Sequence, residues 1–210
     1  MAERKKTKAA EVSNGKIQTT VSERKKTIQS LLPIRNGMSD GNRKGVIDIL
    51  HHQLADHYVL LTKTKFYHWN IEGPEFHDLH ELLDQHYEII AEQVDEIAEQ
   101  ALKLGGQAPG TLGWFKDNAR LGEDPGDTIP DTRAMLRNLL ADHEAVITLL
   151  HGDITKTEDD FDDKVTSNKL QEFSDQHHKM AWMIRMILQP SSLEDYPPVI
   201  ADVRGRISEV

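Results

Sequence analysis

Two histidines and three carboxylates stand within one stretch of the chain: His68, His80, Asp84, Asp95 and Glu99. Imidazole suits iron, copper, nickel or zinc, while carboxylates favour harder ions, so a mixed set fits Fe(II) with room for water or peroxide. From Pro74 to Leu104 the apolar residues Phe76, Leu79, Leu83, Ile90, Val94, Ile97, Ala101 and Leu104 recur at steps of three, four or seven. That period predicts one long helix with no internal breaker. At about 100° per residue, with His80 at zero, Asp84 falls near 40°, Asp95 near 60° and Glu99 near 100°. All four share a stripe. At about 1.5 Å rise per residue, however, Asp84 and Asp95 lie about 16 Å apart along the axis. Ligand bonds of about 2 Å cannot bridge that gap.

Two arrangements satisfy the spacing. The pairs His80/Asp84 and Asp95/Glu99 serve separate sites in one chain, or a two-fold axis lays the helix antiparallel on its copy and joins one pair to the other. The second is favoured, because each half alone has too few ligands and an isologous dimer makes every such site twice. A di-iron site inside one bundle needs Glu-x-x-His twice in the chain. None of the eleven histidines has a Glu three residues before it, which argues against an intrachain centre.

The segment His68-Trp69-Asn70, Gly73, Phe76, His80, Leu83-Asp84 and Asp95-x3-Glu99, followed by Leu104-Gly105-Gly106, resembles Dps, the DNA-protecting mini-ferritins of starved cells. The resemblance covers roughly residues 45–188. It implies an all-α, ferritin-like four-helix bundle with a short helix in the long connection between the second and third helices. It further implies an iron ferroxidase centre between subunits, with His68, His80 and Asp84 from one chain and Asp95 and Glu99 from its partner. Trp69 would stand beside the iron pair, as electron donor or as a packing aromatic. Members oxidise Fe(II), preferentially with hydrogen peroxide, and store ferric mineral in shells of twelve subunits built from two-fold dimers. A nucleoid-compacting protein whose metal site only staples the dimer is the competing expectation.

Charge divides the chain unevenly. Residues 1–44 carry eleven Lys/Arg against four Asp/Glu, a net of +7, and the remainder carries fourteen against thirty-one, a net of −17. The basic segment contains Arg4, Lys5, Lys6, Lys8, Lys16, Arg24, Lys25 and Lys26. It is expected to be a flexible tail that binds DNA phosphates without reading bases. The acidic run Glu158–Asp163 resembles the family's iron-entry pore, with Asp159, Asp160 and Asp163 as lining candidates. Lys164 and Asn168 depart from the acidic pattern there. Accessory metal sites are conceivable at His51, His52, Asp56 and His57 or at His177 and His178, but surface roles are expected. His143 and His151 show no pattern.

The remaining expectations concern organisation. A first helix runs from Val46 to about Asn70, with a short one at Leu112–Ala119. A third long helix opens with Pro130 near its first turn, a turn follows at Glu158–Asp163, and a fourth helix spans about Thr166–Leu188. The C-terminal tail from Gln189 is Pro-rich. Zero cysteines exclude disulfides and zinc–thiolate sites. No apolar run approaches the length of about 18 residues that a membrane span requires. The N-terminus lacks the apolar core of a secretory signal. A cytoplasmic protein, nucleoid-associated through its tail, is the expectation.

Overall fold

The computed structural model describes residues 34–189. Five helices follow in order: α1 (Asp40–Asn70), α2 (Phe76–Lys103), α3 (Leu112–Asn118), α4 (Thr132–Thr155) and α5 (Lys164–Ile187). No strand occurs among the described residues. A wide turn of π-helix, Lys156–Asp160, extends α4 where a plain turn was expected. The helices α1 and α2 form one hairpin and α4 and α5 the other, and α3 lies against α1 in the long connection between them. This is the four-helix bundle with an extra short helix that the sequence predicted.

Local chemistry sets the boundaries. Helix α1 begins ahead of the expected Val46, because the Ser39 hydroxyl accepts the Asn42 N–H at 3.1 Å and caps it. Gly45 sits where a Cβ would run into the Phe161 ring, so its weak helix propensity is the condition for close packing. Helix α2 ends in a Schellman motif: Gly106 N–H donates to Ala101 O and Gly105 N–H to Leu102 O, both at 2.9 Å, with Gly105 at φ +86°. Asp131, not Pro130, begins α4 as its cap, accepting from Ala134 N–H at 2.7 Å.

Leu50, Leu54 and Leu60 of α1 meet Leu83, Ile90 and Ile97 of α2, Leu139, Val146 and Leu150 of α4, and Leu170, Phe173 and Ile184 of α5 in one core. The same interior holds four histidines, one from each long helix: His57, His86, His143 and His177 are all buried. Their tautomers follow from one fixed acceptor. The Gln53 carbonyl, 2.7 Å from His57 Nδ1, can only accept, so that nitrogen carries the proton. His57 Nε2 is then bare and accepts from His177 Nε2–H at 3.2 Å. His177 Nδ1 in turn accepts from His143 Nδ1–H at 2.9 Å. His143 Nε2 and both His86 nitrogens have no hydrogen-bond partner among the described residues. Burial, first, holds these rings neutral: His57 and His86 titrate at about 4 and His143 at about 3, and His177 is also lowered well below the ordinary value.

A second polar cluster ties the connection to the bundle. Arg120 pairs with Asp56 at 2.8 Å and with Asp153 at 2.9 Å, and Gln53 donates to Asp153 at 2.7 Å. Burial raises the Asp56 carboxyl above its ordinary value, and the Arg120 charge and hydrogen bonds offset only part of that. Asp56 and His57 are fully buried, which corrects the expectation of surface roles for them. His51 and His52 instead contact the backbone carbonyls of Gln107 and Asn118. No described helix is long and apolar enough to cross a membrane.

Candidate metal centre

His68 occupies the last turn of α1 and His80 the second turn of α2, and the short break at Gly73-Pro74 folds one against the other. Gly73 takes φ +113°, a conformation that a side chain would resist, so the reversal is built into the residue type. The two ring centroids lie 3.8 Å apart. His68 is largely buried, and its Nδ1–H donates to the His80 carbonyl at 3.1 Å. That bond fixes the tautomer and leaves the Nε2 lone pair free. The same Nε2 faces Asp84 Oδ1 at 3.9 Å. One imidazole nitrogen and one carboxylate oxygen, close but not touching, suit an ion placed between them, and a hydrogen-bonded second nitrogen is the usual support for a ligating histidine.

Asp95 and Glu99 share a helix with this group but not a location. Both are exposed, and among the described residues the only ion pair of the two is Glu99 with Lys103 at 3.1 Å, one turn away. Among the described residues no three His, Asp or Glu side chains gather into a metal cage. The chain therefore sets His68 against His80 and opposite Asp84, short of a three-residue cage, and keeps Asp95 and Glu99 apart from them. Trp69, adjacent to His68, is 70% exposed and makes no ring contact among the described residues.

One neighbour went unread in the sequence. The neighbouring Asp84 carboxylate, first, then partial burial and the charge of Glu88, raise the Tyr87 phenol above its ordinary value. Its ring meets His68 edge-on at 5.2 Å between centroids, and the Lys65 ammonium sits 4.4 Å from its centre. The signal was present: seven residues beyond His80, Tyr87 falls near −20° on the same helical stripe.

The other candidates are placed as follows. Asp159 and Asp160 are exposed on the π-helical turn. Asp163 is buried as the cap of α5, accepting from Val165 N–H at 3.1 Å, Thr166 N–H at 3.0 Å and the Thr166 hydroxyl at 2.6 Å. Its carboxylate is committed to the helix start, which removes it from the pore-lining set. His178 is exposed and bonds the Ser174 carbonyl, while His177 belongs to the core chain, so the two share no site. Arg4, Lys5, Lys6, Lys8, Lys16, Arg24, Lys25 and Lys26 lie outside the described residues.

A bundle of two helical hairpins with a His/Asp pair at the end of one of them defines a class, and comparison agrees: residues 47–192 match the ferritin-like domain. An uncharacterized low temperature-induced protein of Nostoc is 40% identical over 161 residues, 77% of this chain and 89% of its own. DNA protection during starvation protein 2 of Bacillus anthracis is 33% identical, over 69% of this chain and 97% of its own. Among solved structures, DpsC from Streptomyces coelicolor aligns with a TM-score of 0.73 at 28% identity, over 77% of this chain and 94% of that one. Dps from Bacillus brevis aligns at 0.68 and 27%, over 72% and 100%. The chain belongs to the Dps family. That family is one of iron-storing, DNA-protecting proteins, generally with ferroxidase activity.

Proposed function

We propose that this protein oxidises Fe(II) at sites shared between two chains, preferentially with hydrogen peroxide, and stores the ferric product in a hollow homo-oligomeric shell of twelve. Iron is its substrate and cargo. The observation that carries the reading is the division of candidate ligands. His68 at the end of α1 lies against His80 and faces Asp84 near the start of α2, while Asp95 and Glu99 are exposed farther along α2. Asp95 is about 16 Å from Asp84 along the axis. A second chain, laid antiparallel across α2, supplies the missing carboxylates to each half. The mixed donor set is chemically suited to both oxidation states of iron. His68 Nε2 offers a neutral nitrogen to Fe(II), and the carboxylates of Asp84, Asp95 and Glu99 favour Fe(III). Trp69 stands at the edge of the proposed interface. Asp159 and Asp160 remain the candidates for a cation-focusing entry, where repeated carboxylates would raise the local Fe(II) concentration.

Stopped-flow oxidation of Fe(II) by peroxide tests the proposal. The double variant His68→Ala, Asp84→Ala should lose the fast phase, and an unchanged rate would leave only the nucleoid-compacting alternative. DNA protection then works by removing Fe(II) and peroxide together, in the cytoplasm, with the basic N-terminal tail holding DNA non-specifically. Gel shifts with full-length and tail-deleted protein, at low and moderate salt, check the tail: only the full-length chain should shift DNA, and added salt should weaken the shift.

A further inference from the structure

We infer that the bundle core binds one water molecule between His86 of α2 and His143 of α4, as a fixed part of the fold. The inference is independent of the iron reading. His86 is 2% exposed and His143 is fully buried, and their rings stand edge to face with centroids 5.8 Å apart. Each ring has buried aliphatic neighbours one turn away on its own helix, Leu83 and Ile90 for His86, Leu139 and Val146 for His143. His143 Nδ1–H donates to His177, so Nε2 of that neutral ring carries a bare lone pair. Burial, first, and then the charges of His86 and His57 hold His143 neutral, with its pKa lowered to about 3. Neither His143 Nε2 nor either nitrogen of His86 has a hydrogen-bond partner among the described residues. Three unpaired nitrogens on two neighbouring rings, in apolar surroundings, form a site for a small hydrogen-bonding molecule.

The chemistry selects the ligand. It must donate to His143 Nε2 and also meet His86, either by accepting from the ring N–H or by donating to the bare nitrogen. Water does both. Two hydrogen bonds of about 2.8 Å that meet at one oxygen span roughly 4.5 Å between nitrogens, which suits rings that stand too far apart for a direct bond. Two such bonds are the fewest that hold a buried water. A cation does not fit. No three His, Asp or Glu side chains gather among the described residues, and two neutral nitrogens do not offset the cost of taking an ion out of water. With the water in place, the chain of rings runs from His57 through His177 and His143 to His86, so one polar layer ties all four long helices together.

A crystal structure of the full-length wild-type protein, at a resolution that shows ordered water, tests this directly. The expected result is a single peak about 2.7–3.2 Å from one nitrogen of each ring. A peak about 2.0–2.1 Å from both nitrogens is a metal ion and overturns the inference. Empty space between the rings, or a direct nitrogen–nitrogen hydrogen bond, overturns it as well. Thermal unfolding supplies a second reading. His86→Leu removes the water's partner on α2 and His143→Leu its partner on α4, so either change alone dismantles the site. The double variant should therefore melt no lower than the less stable single variant. Losses that simply add in the double variant mean that the two rings share no ligand, and that result also overturns the inference.

Discussion

Replacing Asp84 by Ala in one population of chains and Glu99 by Ala in another damages opposite halves of the proposed site. Both side chains are partly or fully exposed, so neither change should threaten the fold. Each variant alone should oxidise Fe(II) slower by on the order of a hundredfold, the upper end of what a lost supporting contact costs at a metal centre. The two-fold geometry then dictates what mixing restores. In a mixed dimer, the Glu99→Ala chain contributes an intact His68, His80 and Asp84 to a partner with an intact Asp95 and Glu99. One of its two sites is complete and the other is doubly broken. Random pairing makes half the dimers mixed, so about a quarter of all sites recover, a rate about 25-fold above either parent. The assay is stopped-flow absorbance after the two populations, carrying different affinity tags, have been dissociated and reassembled together. Tandem purification confirms that mixed dimers formed. If these dimers oxidise iron no faster than the parents, Asp84 and Glu99 do not meet across an interface, and the spacing argument along α2 is wrong.

The buried histidines make stability acid-sensitive. In the unfolded chain they take up protons below about pH 6.5, whereas folded His57 resists until about 4 and His143 until about 3. The unfolded state therefore gains protons as pH falls through the window from 6.5 to 4, and stability drops. At pH 5.5 each ring costs between about 1 and 2 kcal/mol, or about 4 kcal/mol for His57, His86 and His143 together. Urea unfolding at pH 7.5 and 5.5 reads the difference, and a flat profile contradicts the neutral-ring assignment. Arg120→Met leaves Asp56 buried without its partner and should destabilise the chain by about 3 kcal/mol. Adding Asp56→Asn to that variant should restore part of the loss in thermal unfolding, and no restoration would count against the pair.

The helices were legible because α2 carries its apolar residues at an unbroken period, and the breaks at Gly73-Pro74 and Gly105-Gly106 bound it on both sides. Helix α1 was harder. It is packed by α2, α3 and α4, so Gln53, Asp56, His57, Lys63 and Thr64 are buried around it, and burial no longer tracks hydrophobicity. Its first turn was missed because Gly41 and Gly45 depress local helix propensity, a deficit that the Ser39 cap and the Phe161 contact overcome. The histidine chain was missed for a different reason. Each ring follows its own helix's apolar period, His143 between Leu139 and Val146 and His177 between Phe173 and Met180. Which rings stand level with one another depends on how four helices align, and no single period contains that. The candidate ligands were legible as types and spacing, and the structure added that His68 lies against His80 and faces Asp84 within one chain.

A layer of leucines tolerates sliding, since one methyl packs about as well as the next. The chain from Gln53 through His57 and His177 to His143 does not, because each nitrogen has one partner at one height. Shifting α1 by a single turn, about 5.4 Å, would break the His57–His177 bond, strand a bare nitrogen and an unpaired N–H in the core, and carry His68 away from His80 by the same amount. The core histidines thus act as a ruler for the bundle: they hold the axial register at its centre, and His68 and His80 at the ends of α1 and α2 meet at the same height as a result.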